Sequence, residues 1–535
     1  MDGYRGYARM LALTAVVMAI ALAGGIGSIT AVKGTTPVLV RSECQPDAAV
    51  PKRQFRAMWI ATVGNLDWPS RQGLDVATQK AEYIAWLDLA HRLRLNAVVV
   101  QVRPTGDTLW PSPHEPWSEW LTGRQGTHPG YDPLAFLVEE AHRRNLEFHA
   151  WFNPYRVSTQ ADPSRLAAGH PARRHPNWVY EYGRRLYYNP GIPEVRAFIL
   201  DAILDAVSKY DVDAVHLDDY FYPYPVSGEE IPDRDTYARY GQGFADIHDW
   251  RRHNVDLLVE EMGAKVKRAK PWVKFGISPF GIWRNRSSDP RGSDTAGLQS
   301  YDSTYADSHR WVKEQWIDYV APQIYWNIGF GAADYAKLVP WWSNTVLGTS
   351  VHLYVGQAAY KMGTGGAWSD PAELSRHLHV NRNHPQVYGD VHFSAKDVRA
   401  DRIGGISRMV ADHYSRPALV PVMPQLAGVQ PAPPTITAAR RVDAGVELTF
   451  RGTALGALGE PTSYAVYRFE ESLAAGTCGL EDAHHLIATV RGVGTGQQTF
   501  TDTTAVRDKA YAYYLTALDR LHHESPPSPP QTVPS

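Results

Sequence analysis

The chain has 535 residues, and its 44% hydrophobic and 21% charged residues are typical of a globular rather than a disordered protein. That length is too great for one ordinary core, so we expect two domains, one of them large. The formal net charge of -2, without a Lys/Arg run, argues against nucleic acid as a partner. The sequence also lacks zinc-ligand spacing and a phosphate-cradling Gly loop, and we predict neither a metal nor a cofactor.

Tryptophan and tyrosine are unusually numerous, with 17 Trp and 29 Tyr against 14 Phe. Both side chains combine a flat apolar face with a polar edge, which suits the C–H faces and hydroxyls of sugar rings. Large barrels also bury many aromatic residues, so composition alone leaves both interpretations open.

The first 32 residues have the pattern of a secretory signal, which we assign to residues 1–32. Arg5 and Arg9 precede an uncharged stretch over residues 10–32, and residues 21–23 resemble a signal-peptidase site. The stretch is also just long enough to remain as a membrane anchor. We therefore predict an extracytoplasmic protein, secreted or anchored to the outer face of the cytoplasmic membrane. A polar leader follows over residues 33–52, and the spacing of Cys44 and Cys478 does not indicate a disulfide.

Between residues 53 and 415, eight short apolar runs recur, each about the length of a buried strand. They are Phe55–Val63, Ala97–Val102, Glu147–Phe152, Ala214–Leu217, Val273–Ile277, Tyr319–Tyr325, Val351–Gly356 and Gln386–Phe393. Helical patterns precede several of them, over Lys80–Leu95, Val195–Tyr210 and Val255–Lys267. Eight strand and helix units predict an α/β protein with a (β/α)₈ TIM barrel. An open doubly wound sheet would more often have fewer strands and a Gly-rich first turn, which is absent.

The composition changes beyond the predicted barrel. Six prolines fall within residues 416–434, which predicts a stiff linker or a clamp running over the barrel. Residues 435–535 then show period-two alternation, as expected of a small all-β sandwich, and look like a fibronectin type III module. The alternating runs are Val446–Phe450, Tyr464–Phe469, Leu486–Val490 and Tyr511–Leu518.

Reactive groups of a TIM barrel lie at the carboxyl ends of the strands, so the residues that close each run are the candidates for a site. Polar or aromatic residues close most of the runs, and we expect four of them, Trp59, Trp151, Tyr325 and Trp326, to stack on sugar rings. The full set of predicted substrate-binding residues is Trp59, Arg103, Trp151, Asn153, Tyr155, His216, Tyr220, Gln323, Tyr325, Trp326 and Asn327.

Asp218 and Asp219 close the fourth run and are the predicted catalytic residues, because glycoside hydrolysis usually needs two carboxyl groups. Adjacent residues of a strand point to opposite sides, which would give the two different roles. If both instead turn into the cleft at the strand end, their repulsion raises one pKa and makes that group an acid at neutral pH. A third alternative is that one Asp pairs with an arginine such as Arg103 and only orients the site.

Four other aspartates are candidates for a further carboxylate, and two of them have an alternative interpretation. Asp302 and Asp307 precede the sixth run, and Asp67 and Asp107 lie near the first two, so each is a candidate for a further carboxylate. Alternatively, Asp302 caps the following helix and Asp107 closes a turn.

A histidine and two arginines also lie near the predicted pair. We expect His216 to form hydrogen bonds rather than to bind a metal. Arg103 and Arg156 either bind a substrate carboxylate or hold Asp218, and the second role is favoured.

Five motifs occur in chain order at the predicted strand ends: FRAMWIATV at 55–63, QVRP at 101–104, WFNPYR at 151–156, HLDDYFYP at 216–223 and APQIYW at 321–326. Together they resemble the glycosyl-hydrolase-like family 10 proteins of bacteria, from about Phe55 to Pro424. The resemblance implies a (β/α)₈ barrel, an extracytoplasmic location and action on glycan strands. For some members it implies cleavage of peptidoglycan strands that have been stripped of stem peptides.

The fourth motif also resembles, more loosely, the Asp-x-x-Asp-x-Asp-x-Glu motif of family 18 chitinases. Asp213 and Asp218 fit that pattern, but His216 and Tyr220 occupy its other two positions. Because the glutamate acid of that family is missing, Asp218 or Asp219 must polarise and protonate if an N-acetyl group takes part.

We therefore predict a glycoside hydrolase that cleaves a β-linked, N-acetylated cell-wall polysaccharide such as peptidoglycan. Asp219 is the expected acid/base, and Asp218 is the expected nucleophile or N-acetyl-orienting group. One alternative is a non-catalytic cell-wall polysaccharide-binding protein on the same barrel. Another is a deacetylase or esterase, which would need a metal triad or an activated serine that the sequence does not show.

Overall fold

The computed structural model describes residue 47 and residues 49–453, 459–470, 477–494 and 496–535. The predicted signal segment 1–32 and Cys44 lie outside the described residues. Within the described residues, no helix is both long and apolar enough to cross a membrane.

The strands are numbered in chain order. They are β1 Phe55–Ile60, β2 Ala97–Arg103, β3 Glu147–Phe152, β4 Val179–Tyr182, β5 Arg185–Tyr188, β6 Ala214–Leu217, β7 Lys274–Ile277, β8 Tyr319–Val320, β9 His352–Gln357, β10 Val387–His392, β11 Thr435–Val442, β12 Gly445–Arg451, β13 Ser463–Glu470, β14 Leu486–Arg491, β15 Gln497–Asp502, β16 Tyr511–Leu518 and β17 Gln531–Val533.

The α-helices are numbered in the same way. They are α1 Val76–Arg92, α2 Glu119–Thr122, α3 Pro133–Arg143, α4 Pro171–Arg174, α5 Pro193–Lys209, α6 Arg234–Tyr240, α7 Ile247–Ala269, α8 Ser300–Ser303, α9 Ser308–Lys313, α10 Tyr335–Val346, α11 Glu373–Arg382, α12 Ala395–Ala400 and α13 Gly405–His413.

Eight strands close into a barrel in the order β1-β10-β9-β8-β7-β6-β3-β2, and every neighbouring pair is parallel. Each of the eight predicted apolar runs overlaps one of these strands, so the predicted TIM barrel is confirmed. In β1, Phe55, Ala57 and Trp59 belong to the apolar cluster inside the barrel, whereas Met58 and Ile60 pack outward under the helices. Burial on both faces explains why the runs are apolar without alternation.

Capping residues set where the helices begin. Asp75 precedes α1 and accepts a hydrogen bond from the backbone N–H of Thr78, and Asp132 does the same for α3, whose first residue is proline. The three predicted helices correspond to α1, α5 and α7. Helix α7 begins eight residues before its predicted start, because Asp246 caps it at Ile247.

The proline-rich segment packs across the amino-terminal end of the barrel. Leu419 is hydrogen-bonded to the backbone on both sides of Arg53, and Val420, Met423 and Leu426 join the apolar cluster inside the barrel. The segment therefore forms part of the barrel's base.

Residues beyond this segment form two antiparallel sheets, with strand orders β11-β12-β15 and β14-β13-β16-β17. Their facing side chains share a buried apolar cluster, so the predicted small all-β sandwich is confirmed. Four strands correspond to the predicted runs, whereas β11, β15 and β17 were not predicted. The hairpin of β4 and β5, in the connection between β3 and α5, was also not predicted.

The two sheets contact the barrel base through charged side chains. Lys52 forms an ion pair with Glu524 at 2.8 Å, and Arg520 forms one with Asp211 at 2.6 Å. His522 Nε2 lies 2.7 Å from the carboxylate of Glu147, the buried first residue of β3.

Candidate active site

Asp218 and Asp219 directly follow Leu217, the last residue of β6, at the carboxyl end of the barrel strands. Their exposed fractions are 8% and 6%. Because the strand ends at Leu217, its alternation no longer decides where the next two side chains point.

The carboxylate of Asp218 is held by two side-chain amides and one backbone amide. Asn153 Nδ2 donates to Oδ2 at 3.1 Å, and Gln323 Nε2 donates to Oδ1 at 3.2 Å. The backbone N–H of Asp219 donates to Oδ1 at 2.9 Å. Both oxygens thus accept N–H donors, which is the role of a carboxylate, and the structure brings the predicted Asn153 and Gln323 directly against Asp218.

Asp219 has the environment of a carboxylic acid. Burial raises its pKa well above the usual value, and the negative charge of Asp218 and a hydrogen bond with it raise the pKa further. The Tyr224 hydroxyl donates a hydrogen bond to Oδ2 and opposes that shift. The two carboxyl groups therefore turn to the same side, as the second of our alternatives expects, and the pKa of Asp219 is raised.

Asn153 is itself fixed from two directions. Gln101 Nε2 and a guanidinium N–H of Arg156 both donate to its Oδ1, the second at 3.2 Å. Gln101 Oε1 in turn accepts the backbone N–H groups of Thr62 and Val63, at 3.0 and 2.9 Å. These hydrogen bonds connect the ends of β1, β2 and β3 and orient the side-chain amide of Asn153 towards Asp218.

His216 lies inside the barrel, below the pair, and is 1% exposed. Its Nε2 lies 2.9 Å from Ser278 Oγ and its Nδ1 lies 2.9 Å from the Tyr319 hydroxyl, which also lies 2.9 Å from His149 Nδ1. Burial lowers the pKa of His216 well below its usual value, and the positive charge of His149 adds to this. The hydrogen-bonding role is thus observed, and the predicted contact of His216 with substrate stays a prediction.

Arg103 binds neither Asp218 nor an open cleft. It is fully buried, and its Nε donates to Glu115 Oε2 at 2.6 Å. A further N–H donates to the Pro154 carbonyl at 2.9 Å. Coulombic attraction and hydrogen bonding to Glu115 outweigh burial and raise the pKa of Arg103 above its usual value. Its predicted role in binding substrate or holding Asp218 is therefore wrong, because Glu115 already neutralises it.

Three aromatic candidates are almost fully buried. Trp59 and Trp151 are 2% and 5% exposed and fill the barrel interior, and Tyr155 is fully buried in the layer between strands and helices. Trp59 Nε1 donates to His216 Nε2 at 3.3 Å. Inward side chains at this level pack against each other, and the predicted stacking of these tryptophans on sugars stays a prediction.

Half-buried aromatic residues line the mouth of the barrel instead. Trp326 and Phe280 have ring centroids 5.4 Å apart, and Tyr224 and Phe280 have centroids 6.2 Å apart. Tyr325 stacks with Phe393 at 6.2 Å. The predicted Tyr220, Tyr325, Trp326 and Asn327 are all half-buried, and Asn327 Nδ2 donates to the carbonyl of Ile328 at 2.8 Å.

The sequence patterns did not single out Tyr224, Phe280 or Phe393. Tyr224 directly follows the last residue of the HLDDYFYP motif, and this position is the signal in the sequence that points to it. Phe280 and Phe393 each come just after a barrel strand and have no polar atom to attract notice.

The other candidate carboxylates hold loops together. Asp67 accepts the Ala61 N–H at 2.8 Å and the Ser394 hydroxyl at 2.8 Å, which joins the ends of β1 and β10. Asp302 pairs with Arg284 at 3.1 Å, and Asp307, not Asp302, caps α9.

Asp107 lies in the loop after β2 and accepts hydrogen bonds from Gln125 and from the Glu119 N–H, both at 3.3 Å. Its burial raises its pKa to about 7. In the part of the chain that the structure describes, no group of three or more His, Cys, Asp or Glu residues is arranged to hold a metal ion.

Comparisons with known proteins show what the chain is similar to. A family model described as "Glycosyl hydrolase-like 10" matches residues 54–372. The chain is 50% identical over 479 residues to the glycosyl hydrolase YngK of Bacillus subtilis (strain 168), covering 88% of this chain and 92% of that protein. It is 42% identical over 366 residues to the glycosyl hydrolase DigH of Escherichia coli (strain K12), covering 63% of this chain and 82% of that protein.

Proposed function

This chain belongs to the glycosyl hydrolase-like 10 family, and we propose that it hydrolyses β-linked, N-acetylated glycan strands of the cell wall, such as those of peptidoglycan. The observation that carries the proposal is the pair of Asp218 and Asp219 at the end of β6: both oxygens of Asp218 accept N–H donors, and burial and the charge of Asp218 raise the pKa of Asp219. The signal-like segment 1–32 supports the further proposal that the chain acts outside the cytoplasmic membrane.

The closeness of the two carboxyl groups limits the mechanism. Retaining enzymes separate acid and nucleophile by roughly 5–5.5 Å, and inverting enzymes separate acid and base by roughly 6.5–9.5 Å. Asp218 and Asp219 are adjacent at the end of one strand, where the backbone N–H of Asp219 donates to Asp218 Oδ1. In our proposal the pair does not flank the scissile bond from two sides, and another group attacks the sugar carbon.

We assign that attack to the acetamido carbonyl of the substrate. Asp219 gives its proton to the glycosidic oxygen as the bond to the anomeric carbon breaks, and the acetamido oxygen forms a bond to the same carbon. Asp218 accepts a hydrogen bond from the acetamido N–H and stabilises the positive charge that develops there. Asp219 then removes a proton from water, and the water oxygen bonds to the anomeric carbon as the bond from that carbon to the acetamido oxygen breaks. This step opens the cyclic intermediate and restores the acid.

Tyr325 has the properties of a partner for the acetamido group. Its burial and the negative charges of Asp218 and Asp219 raise its pKa well above the usual value, so the hydroxyl stays protonated beside the pair. In this mechanism it donates a hydrogen bond to the acetamido oxygen, while Trp326 and Tyr220 contact the sugar rings at the mouth of the barrel.

Removal of the N-acetyl groups from the substrate is expected to abolish cleavage. Purified glycan strands and the same strands after chemical de-N-acetylation would be compared by the release of reducing ends. The acetylated strands should be cut and the de-N-acetylated strands should resist, because the attacking group is gone. Equal cleavage of both would contradict substrate assistance. Retention of strands without reducing ends would favour a binding protein, and released acetate would favour a deacetylase.

Replacement of Tyr224 by Phe is expected to move the pH dependence of kcat/KM. The hydroxyl of Tyr224 lowers the pKa of Asp219, so its loss raises that pKa. A general acid is active only while protonated, and activity is lost as pH rises through its pKa. The alkaline limb of the profile should therefore shift to higher pH in Tyr224→Phe, and an unchanged limb would contradict the role of Asp219 as the acid.

For the C-terminal sheets we propose a fibronectin type III-like module. Seven strands divided into sheets of three and four, with the order β11-β12-β15 and β14-β13-β16-β17, support this proposal. Its contacts through Glu524, Arg520 and His522 fit a module that is fixed to the barrel base.

A further inference from the structure

A depression of about 480 Å³ lies on the face of the barrel that carries Asp218, between the loops that follow β1, β2 and β3. Its lining comes from Gln72 in the first loop, from residues 119–125 in the second and from residues 157–166 in the third. The volume lies within the range of small-molecule binding sites. The depression lies on the face where barrel enzymes bind substrate.

One loop joins this depression to the catalytic pair. Asn153 begins the loop after β3 and donates to Asp218, and Val157 and Ser158 of the same loop line the depression. Between them, Arg156 donates to Asn153, and its guanidinium lies 5.2 Å from the ring centroid of Tyr220. A glycan strand placed across the pair can therefore continue over this loop into the depression.

The wall of the depression contains an indole that is held in place by hydrogen bonds. Trp120 is half-buried in its wall, and its indole Nε1 donates to Thr105 Oγ1 at 3.3 Å. Asn65 Nδ2 donates to the Trp120 carbonyl at 2.9 Å, and Gln125 Oε1 accepts the Ala167 N–H at 2.9 Å. These bonds join the three loops, so the indole is fixed before a sugar arrives.

The lining carries more positive than negative charge. Arg124 and Arg165 line it, and both are exposed. Among the described residues, neither guanidinium lies within 4.0 Å of a carboxylate oxygen. Glu119 is the acidic residue of the lining, and its burial raises its pKa while the charge of Arg165 opposes this. Two guanidinium groups facing one carboxyl group favour an anionic ligand, and a guanidinium binds a carboxylate through paired N–H donors.

We propose that this depression is a subsite for a sugar that carries a carboxylate, within the same glycan strand that is cut at Asp219. Arg124 and Arg165 bind the carboxylate, and Trp120 supports the face of the sugar ring. The depression thus selects, within the proposed cell-wall glycan, the sugar that carries the acidic substituent. This inference rests on the proposed function for the identity of the strand.

The test compares two substrates that differ only in charge. Glycan strands with a carboxylate-bearing ether on every second sugar are used as such, and also after reduction of their carboxylates to alcohols. Binding is measured by titration calorimetry with the Asp219→Asn chain, which leaves both strands intact. We expect the acidic strand to bind about tenfold more tightly, and we expect Arg124→Gln combined with Arg165→Gln to remove that difference.

Arg286→Gln is the matched control, because Arg286 is an exposed arginine on the same barrel face, in the loop after β7. It should keep the preference for the acidic strand. Equal binding of the two strands to the Asp219→Asn chain would overturn the proposal, as would an equal loss of both in the double arginine variant. If the wild-type chain binds but releases no reducing ends, hydrolysis is refuted while the acidic subsite stands.

Discussion

Replacement of Asp219 by Asn is expected to lower kcat on glycan strands by roughly a hundred- to ten-thousand-fold, the usual contribution of a general acid. The amide keeps the size of the side chain but has no acidic proton for the glycosidic oxygen. KM should change little, because Asp219 acts mainly in the transition state. Initial rates of reducing-end release, measured across the pH range, would give both constants.

Asp218→Asn provides the complementary measurement. Both oxygens of Asp218 accept N–H donors, so an amide there brings an NH₂ group against the amide of Asn153 or Gln323. The charge of Asp218 also raises the pKa of Asp219. We therefore expect a large loss of kcat together with a shift of the alkaline limb to lower pH, opposite to the shift in Tyr224→Phe.

Asp235→Asn is a matched control for both substitutions, since Asp235 is exposed in the first turn of α6. It should leave rate and pH profile unchanged. Wild-type activity in both Asp218→Asn and Asp219→Asn would refute the catalytic assignment.

The fold was accessible from the sequence because its strands are buried on both faces. Continuous apolar runs such as Ala97–Val102 mark such strands directly. Strand β11 escaped prediction because Thr435–Val442 is rich in Ala and Arg and is largely exposed. The β4–β5 hairpin escaped because it is an antiparallel insertion within a barrel connection, where no barrel strand is expected.

The candidate site could be predicted from the sequence only in part, because sequence position does not fix which way a side chain points. Strand ends located Asp218, Asn153 and Gln323 correctly, since parallel strands bring their carboxyl ends together. Sequence position does not tell whether an inward tryptophan such as Trp59 fills the barrel or faces the cleft. Nor does it reveal that Glu115, in a loop 12 residues beyond Arg103, has already neutralised that arginine.

Replacement of Glu147 by Leu is expected to destabilise the fold by about 3–5 kcal/mol, the usual effect of breaking a buried ion pair on one side. Glu147 pairs with Lys274, and both side chains are at most 5% exposed. It also lies 2.9 Å from His149 Nε2 and 2.7 Å from His522 Nε2. Its removal leaves the ammonium of Lys274 buried without a counter-charge, and urea unfolding would measure the loss.

The same pair predicts how stability depends on pH. Burial alone would raise the pKa of Glu147, but the charge of Lys274 and the hydrogen bonds of His149 and His522 outweigh it and hold the pKa well below its usual value. The carboxylate therefore stabilises the fold above its ordinary pKa, and this contribution is lost as pH falls towards the folded-state pKa. The Glu147→Leu chain should show a weaker fall in stability over that acidic range than the wild type.

A double variant separates the ion pair from the packing around it. Glu147→Leu combined with Lys274→Met replaces both charges by apolar groups, so it should be more stable than Glu147→Leu alone. Arg520→Gln is the exposed control, because its ion pair with Asp211 lies at the surface and should contribute less than about 1 kcal/mol. If the double variant is no more stable than Glu147→Leu, the unpaired charge of Lys274 is not the cause of the destabilisation.

Glu147→Leu should affect stability and kcat differently, because Glu147 and the carboxyl pair lie at opposite ends of the barrel. Glu147 lies at the amino-terminal end of the barrel. It is linked to His216, below Asp218, through hydrogen bonds of His149 and the Tyr319 hydroxyl. His216 keeps its contact with Ser278 when Glu147 is lost, so the ring below the pair remains oriented. We therefore expect Glu147→Leu to lower the midpoint of unfolding while kcat of the folded protein stays near the wild-type value. A parallel loss of kcat would instead show that the buried hydrogen bonds between Glu147 and His216 help to orient the carboxyl pair.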